Sequence, residues 1–590
     1  MTKERRHLIV TADERTWKFD RPVVFLGEWC LLYDRKHIWQ DMDAILAAPY
    51  GLGMIMKDAD FSEARELEDR LFPLLCSALN QCHDTNHDAR FWKILLGHWF
   101  RRYVEVMLNR VKTLEQCLSE HEISGFVAYV NNHYALATQD SYSSIWASND
   151  DRWNNALTVR ILDLLGVINI PIELISGHPL SGFSFKPLII KSSFKKTVFK
   201  WGYQLIRKVA RCLARDNDAV VINSYMPKKE EIKLQLALGQ CPQLWDSSIF
   251  EISEKADRML RLGLSKRLSS KSDSNLEDIL KVMLFELLPV CYLEGFASLN
   301  KHVERQPWQK SPKFIFTSNN FDTDEVFKLW AATKVESGSK YFTGQHGNNF
   351  GTHRYMYPAV EEIIADKFLT WGWKDGLPQH TPTFLFKTVG VKAKQYNRQG
   401  GLLLIELHLN IRLNTWDSSA EFHSYFKEQQ EFVKSLNNSA KQHLTVRLHS
   451  AHYYLKWNDE LRWRAFDQKI KIDKGDVAIS NLIANSRLVV HSYDSTGMLE
   501  TLSQNIPTLA FWQNGLDSIR ESAMPYYQVL VDAGIVHFTP ESVAHKVNEV
   551  WDDVDAWWMQ SNVQDARKEF CDRYAKASQT PIADLKEILN

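Results

Sequence analysis

Short apolar runs that end on polar clusters, with helical stretches between them, recur along the whole chain. Pro22–Gly27 is read as a first strand ending on Glu28-Trp29-Cys30, and Phe126–Val130 as a strand ending on Asn131-Asn132. Val167–Ile175, Ala219–Ile222 and Lys313–Phe316 are read as further strands, the last two running into Asn223-Ser224-Tyr225 and Thr317-Ser318-Asn319-Asn320. Strands that alternate with helices build parallel sheets from βαβ units. The class expected is therefore α/β.

The helical stretches fall in two series. Ser62–Asn80 and Ala89–Ser119 are expected as long helices, the second with Ile94, Leu95, Trp99, Tyr103, Val104 and Met107 at helical spacing among Arg and Lys. Ile279–Leu299 is expected as another. From residue 400 onward the order is strand Gly401–Ile405, helix Ala420–Leu436, strand Leu444–Leu448, helix Ile479–Asn485, strand Leu488–His491, helix Met498–Ser503, strand Thr508–Phe511 and helix Pro540–Trp551. A chain of 590 residues exceeds one ordinary core. Two Rossmann-like domains facing a cleft are expected, 1–390 with helical insertions and 391–590 with closing helices, the boundary lying in the polar stretch Lys387–Gly400.

Composition excludes several classes. Lys plus Arg is 71 and Asp plus Glu is 72, a net charge of -1 that argues against a nucleic-acid binder. The eight cysteines form no Cys-x-x-Cys pair, so zinc ribbons and thioredoxin-type sites are not expected, and the thiols read as reduced. Met1 to His7 leads only into Leu8–Val10, which is no signal peptide, and no apolar run is long enough to span a bilayer. A cytoplasmic protein is expected.

Ligands of open parallel sheets sit outside the carboxyl ends of the strands. Glu28, Asn131-Asn132, Asn223-Ser224, Ser318-Asn319, Arg447–His449 and Ser492-Tyr493 all follow strands. The sharpest segment runs from Asn485 through Val-Val-His-Ser-Tyr-Asp-Ser-Thr-Gly-Met-Leu to Glu500. Ser495, Thr496 and Gly497 open its helix, whose N–H groups and positive dipole end suit an anion. Glu500 is placed to accept from a ribose, or else to complete a capping box. Arg447 and His449, two apart on one strand, face one way and suit a phosphate, unless they are an edge-strand surface pair.

Tyr341-Phe-Thr-Gly-Gln345-His346-Gly347-Asn348-Asn349-Phe-Gly351 packs three glycines among polar side chains, so backbone can approach a ligand closely. His346 is a candidate for holding a phosphate or for acid–base work, with a hydrogen-bonded structural turn as the other reading. Glu28 is the first candidate for base or nucleophile and Asp322 the second, each with a helix-capping alternative. Trp371-Gly-Trp373 reads as an interdomain wall or as core. Asp322-Thr-Asp324, Asp41-Met-Asp43 and Asp58-Ala-Asp60 all have the Asp-x-Asp form, which shows how unspecific that form is; no metal is expected.

Between Leu174 and Arg215 there is no Asp or Glu but nine basic residues interleaved with apolar ones. Residues 186–215 read as a basic amphipathic helix for an anionic membrane surface, or as a solvated helix face. Asp151-Arg-Trp153-Asn154-Asn155, Asn223-Ser-Tyr-Met-Pro227 and Gly239-Gln240 through Trp245 are polar–aromatic groups that suit sugar contacts.

The turn of Ser495, Thr496 and Gly497 followed by Glu500 resembles the sugar-nucleotide grip of GT-B glycosyltransferases. Gln345-His346-Gly347 is similar to a loop of bacterial capsule and Kdo-type transferases, and Arg447-Leu-His449 is similar in part to the His-Pro region of CMP-sugar transferases, with Ser450 where the proline would stand. Over nearly its whole length the chain resembles a family of transferases from bacterial O-antigen and surface-polysaccharide gene clusters. The resemblance implies a GT-B-like fold, with the acceptor on the N-terminal side and the donor in the C-terminal domain. Gln345, Gly347, Asn348, Arg447, His449, Ser492, Tyr493, Ser495, Thr496, Gly497 and Glu500 would bind the donor, and Glu28, His346 and Asp322 would do the chemistry. The implied partners are a nucleotide sugar, CMP-linked and acidic, and a glycan or lipid-linked glycan acceptor, with no cofactor and no nucleic acid. A UDP- or GDP-hexose donor, or a non-catalytic membrane-peripheral assembly role, are the alternatives. A phospho- or sulfotransferase lacks support, since no P-loop lysine motif is present.

Overall fold

The computed structural model describes residues 4–131, 136–167, 169–176, 184–185, 210, 213–243, 250–268, 274–391, 396–407, 422–449 and 457–590. Three parallel sheets organise them. The first contains β1 (Arg6–Ile9), β2 (Val23–Phe25), β3 (Ala44–Leu46), β4 (Ile123–Tyr129) and β5 (Ile172–Ile175), in the order β3-β2-β1-β4-β5. The second contains β6 (Val220–Ile222), β7 (Phe314–Thr317), β8 (Lys340–Gly344), β9 (Lys367–Thr370) and β10 (His380–Pro382), laid down in simple succession. The third contains β11 (Gly401–Ile405), β12 (Leu444–Arg447), β13 (Lys471–Asp473), β14 (Ser486–His491), β15 (Thr508–Phe511) and β16 (Val536–His537), in the order β13-β12-β11-β14-β15-β16.

The expected parallel α/β class is thus observed. The first and third sheets are doubly wound in the Rossmann manner. Each has a switch point where the chain reverses direction across the sheet, at β1/β4 and at β11/β14. Residues 1–390 hold two sheets, where one was expected. β1, the centre of the first sheet, was missed because its apolar core is only Leu8 and Ile9 behind a charged terminus. The strand expected over Val167–Ile175 is confined to β5, because Leu165 and Gly166 still close the preceding helix. The single helix expected over Ile279–Leu299 is two, Asn275–Leu287 and Phe296–Glu304, joined through a tight turn at Val290–Tyr292. Pro289 causes the break, since it lacks an N–H and forces Leu288 out of helical geometry.

Side chains alternate across a strand, and the second sheet uses both faces for core. Val220, Ile222, Ile315 and Tyr341 pack with the first unit and its helices. Val221, Phe314, Phe316 and Phe342, one residue out of phase, pack with the third sheet. Two long helices, Met54–His83 and Ala89–Glu120, connect β3 to β4; the second starts on Asp88, whose carboxylate caps the Phe91 N–H. At the other end the chain returns to the second sheet. Leu385 N–H donates to the Lys576 carbonyl at 2.8 Å, Lys576 N–H to the Trp371 carbonyl at 3.0 Å, and Lys367 Nζ to the Ile588 carbonyl at 2.6 Å.

Several polar groups picked out from the sequence serve this scaffold. Asn155 bridges the Tyr129 N–H and the Val127 carbonyl, Trp153 Nε1 donates to the Leu136 carbonyl, and Gln240 bridges the N–H and carbonyl of Ala219. Trp371 and Trp373 are fully buried core. Most of the basic segment 186–215 lies outside the described residues, as does Asn132. Among the described residues no helix is long and apolar enough to cross a membrane.

Candidate functional site

β8 ends at Gly344, and the chain then turns through Gln345 to Gly351. Gln345 is buried: its Oε1 accepts from the Trp371 N–H (2.9 Å) and from Trp373 Nε1 (2.8 Å), and its Nε2 donates to the Gly347 carbonyl (2.9 Å). It therefore shapes the loop from beneath, outside the cavity lining. Gly351, at φ +71°, closes the loop where a Cβ would strike the Trp373 ring at 2.5 Å. Held this way, His346, Gly347 and Asn348 reach the turn that follows β14 in the third sheet. The Asn348 N–H donates to Thr496 Oγ1 at 2.9 Å, and Asn348 Nδ2 donates to Asp494 Oδ1 at 2.6 Å. Tyr527 OH donates to the other oxygen of Asp494 at 2.8 Å. Ser495 caps the helix Thr496–Ser503 by accepting the Met498 N–H, and its Oγ meets His491 Nδ1 at 3.0 Å.

The two loops enclose a cavity of about 480 Å³. His346, Gly347, Asn348, Asp322, Tyr493, Ser495 and Thr496, seven of the sequence candidates, line it together. It opens at the β11/β14 switch point, the crevice that the topology reserves for ligands, with Leu407 just beyond β11 on its wall. A third wall was not foreseen. His98, Arg101, Arg102 and Glu105 of the helix Ala89–Glu120 line the cavity from one helical face, at spacings of three, four and seven. Their signal in the sequence is that polar stripe, set against the apolar stripe of the same helix. Glu361, His353, Tyr355 and Asp494 complete the set of titratable residues missed.

The remaining candidates lie outside the lining. Glu28 faces a seam with the third unit, where burial raises its carboxyl and the nearby charges of Arg462 and Lys427 act against that rise. Arg447 is tied to Asp473 and to the Val477 carbonyl, and His449 is exposed beyond it. Both lie outside the cavity lining, and Asp473 at the end of the neighbouring strand takes the Arg447 guanidinium. Ser492 bonds Tyr425 OH at 2.7 Å and the Ile405 carbonyl at 3.0 Å, holding β14 to β11. Gly497 packs under His491, where a Cβ would sit 2.9 Å from the ring. Glu500 pairs with Lys387 at 3.0 Å, and Lys387 lies over the Tyr225 ring.

Charge in the cavity is mostly committed. Arg102 grips Asp322 with two bonds, 2.7 and 2.9 Å, and holds that carboxyl well below the usual range against the opposing effect of burial. Asp322 is therefore a poor base, and the capping role belongs to Asp324 instead, whose carboxylate accepts the Phe327 N–H. Arg101 bonds Glu68 and the Pro358 carbonyl, and Glu105 bonds Arg65. His346 sits among the rings of Tyr225, Phe321 and Phe350; burial lowers its pKa to about 4, and its Nδ1 has no partner among the described residues. Three carboxylates of the other Asp-x-Asp pairs are also spent on cations and phenols: Asp43 on Arg6, Asp58 on Arg354 and Tyr355, Asp60 on Lys112 and Tyr50. Among the described residues no group of three or more His, Cys, Asp or Glu is arranged to hold a metal ion.

Residues 6–589 match the LIC12162 family of transferases. No curated protein matches the sequence. Solved structures that share features with the chain include a variant of the wall teichoic acid polymerase TagF (11% identity, 67% of this chain and 96% of that one, TM-score 0.33). A putative UDP-N-acetylglucosamine 2-epimerase from Listeria monocytogenes (10% identity, 78% and 94%, TM-score 0.30) is another. A third is WaaG, a glycosyltransferase involved in lipopolysaccharide biosynthesis (13% identity, 63% and 99%, TM-score 0.27). TM-scores this low do not carry an assignment.

Proposed function

The chain belongs to the LIC12162 family of transferases, and on that premise we propose that it is a glycosyltransferase that moves a sugar from a nucleotide donor to a glycan acceptor within the cavity between its second and third sheets. One observation carries the reading. The His346–Asn348 loop and the Tyr493–Thr496 turn, from the carboxyl ends of two separate parallel sheets, are bonded to each other and line one cavity at a switch point.

The chemistry follows from the groups present. In such a transfer the bond between the sugar's anomeric carbon and the phosphate oxygen breaks, and the phosphate keeps the electron pair. Negative charge then grows on the leaving group. The start of the helix Thr496–Ser503 presents its positive end to the cavity, and His346, held neutral by burial, offers a ring nitrogen for a hydrogen bond. Arg102 lines the same cavity, but its guanidinium is already paired with Asp322. The donor we favour is a CMP-activated acidic sugar of the nonulosonic or Kdo type, whose phosphate matches the helix end. The pathway we favour is surface-polysaccharide assembly.

The test is thermal unfolding of the purified chain with CMP, UDP, GDP and ADP. A nucleotide at a hundred times its dissociation constant stabilises by about 2.7 kcal/mol. A shift with CMP alone is the expected result. A shift with UDP or GDP alone keeps the glycosyltransferase and replaces the donor. No shift with any of the four counts against the reading.

A further inference from the structure

Four carboxyl groups line the cavity, and three are committed. Asp322 is held by Arg102, Glu105 by Arg65, and Asp494 by Asn348 and Tyr527. The fourth, Glu361, has a side chain only 6% exposed and no guanidinium or ammonium within ion-pair distance among the described residues. Its neighbour is His98, whose Nε2 stands 3.6 Å from Glu361 Oε2 and is itself buried without a hydrogen-bond partner. Both are rigidly placed. His98 stacks on Phe321, with ring centroids 5.2 Å apart and planes 13° from parallel. The Glu361 carbonyl accepts from Thr343 Oγ1 of β8 at 2.8 Å, and the Pro358 carbonyl just before it accepts from Arg101 at 2.7 Å. A buried carboxyl and an orphaned imidazole, set side by side on a cavity wall, cost stability. They are the arrangement a proton acceptor needs.

We propose that Glu361 takes the proton from the acceptor hydroxyl and that His98 is its positioning residue. The inference rests on the glycosyltransferase reading and adds to it the base that the reading lacks. In the step, the acceptor O–H bond breaks and its proton passes to a Glu361 oxygen. The acceptor oxygen bonds the anomeric carbon, and the carbon–oxygen bond to the leaving phosphate breaks, leaving its electron pair on the phosphate. The carboxylic acid so formed faces His98 Nε2. Burial raises the Glu361 carboxyl to about 8 and lowers His98 to about 3. The groups that face Glu361 are Glu362 on its own helix, Asp322 beyond β7, Tyr341 of β8, and Arg101, Arg102 and His98 on the long helix. Asp322, Arg102, Lys328 and Arg101 face His98.

The experiment measures nucleotide released from a CMP-activated sialic acid, a UDP-activated hexosamine and GDP-mannose across the pH range, with water as the acceptor whose proton is removed. Wild type, Glu361→Gln and His98→Gln are compared, and nucleotide binding is followed by thermal shift as a check on folding. The expected wild-type rate rises with pH to a midpoint of about 8. Glu361→Gln loses about 10²–10⁴-fold in rate with nucleotide binding retained. His98→Gln retains turnover but moves the midpoint, which a purely structural role would not do. Turnover undiminished in Glu361→Gln, or a flat wild-type profile, overturns the inference and leaves the glycosyltransferase standing. A midpoint unmoved in His98→Gln overturns the part given to His98. No release by wild type from any of the three donors overturns the glycosyltransferase reading, and this inference falls with it.

Discussion

Asn348 of the second sheet and Asp494 of the third share a 2.6 Å hydrogen bond, buried beneath the cavity that both help to line. The bond joins two halves of a site whose residues lie 146 positions apart in sequence. It also makes Asp494 the anchor for Tyr527, so that loop, turn and the helix Met524–Asp532 form one polar knot.

Asn348→Ala removes the side-chain half of this link and leaves a buried carboxyl short of a donor. Urea unfolding is expected to show a loss of about 1–3 kcal/mol. The stabilisation by bound nucleotide should fall as well, because the loop that carries His346 is then tied only through the Asn348 N–H. Adding Thr496→Val should cost less in this background than in wild type, as a double-mutant cycle reports for coupled residues.

Asp494 gives a pH dependence with a definite sign. Burial raises its folded pKa to about 7, above the ordinary carboxylate value of the unfolded chain. Between those values the folded state holds a proton that the unfolded state has released, so this residue makes stability fall as pH rises from about 4 to 7 and then level off. Asp494→Asn mimics the protonated group and should flatten that part of the profile. Unfolding midpoints at intervals across this range check it, and an unchanged slope would refute it.

Gly351→Ala is expected to be damaging out of proportion to one methyl group. The residue sits at φ +71° and its Cβ would enter the Trp373 ring. A strained non-glycine residue at such a position costs about 1–3 kcal/mol. Since the same loop positions His346 and Asn348, nucleotide-induced stabilisation should drop with it.

Glu28→Gln is expected to leave nucleotide binding unchanged, because Glu28 lies outside the cavity and faces Arg462 and Lys427. Arg462 is itself packed over the rings of Tyr33 and Phe426, at 4.6 Å each, so the seam survives the change. A stability loss of about 1 kcal/mol or less is expected. Abolished turnover with intact folding would return Glu28 to the catalytic machinery.

Much of this was legible in the residues. Strands such as Gly401–Ile405 and Thr508–Phe511 are almost wholly apolar, and a buried parallel strand reads that way. The loops after β8 and β14 were legible because a polar cluster ending an apolar strand marks the ligand side of a parallel sheet. What failed did so for physical reasons. Arg447 and His449 share the strand-end position, but which neighbour claims a guanidinium depends on the register with β13 and Asp473. His98, Arg101 and Arg102 could not be singled out, because Asp322, the partner that claims Arg102, lies 220 residues further along the chain. Glu361 follows a proline at the opening of a short helix, where an acid ordinarily means only a favourable charge at the first turn.

The helix Ala89–Glu120 is rooted between β3 and β4 of the first sheet, yet four of its side chains form a wall of a cavity made by the other two. At 32 residues it is about 48 Å long, stiff enough to act as a beam. Any tilt of the first unit would therefore carry His98, Arg101, Arg102 and Glu105 through the cavity as one rigid set. An acceptor resting against the first sheet would then have a mechanical line to the chemistry without touching it.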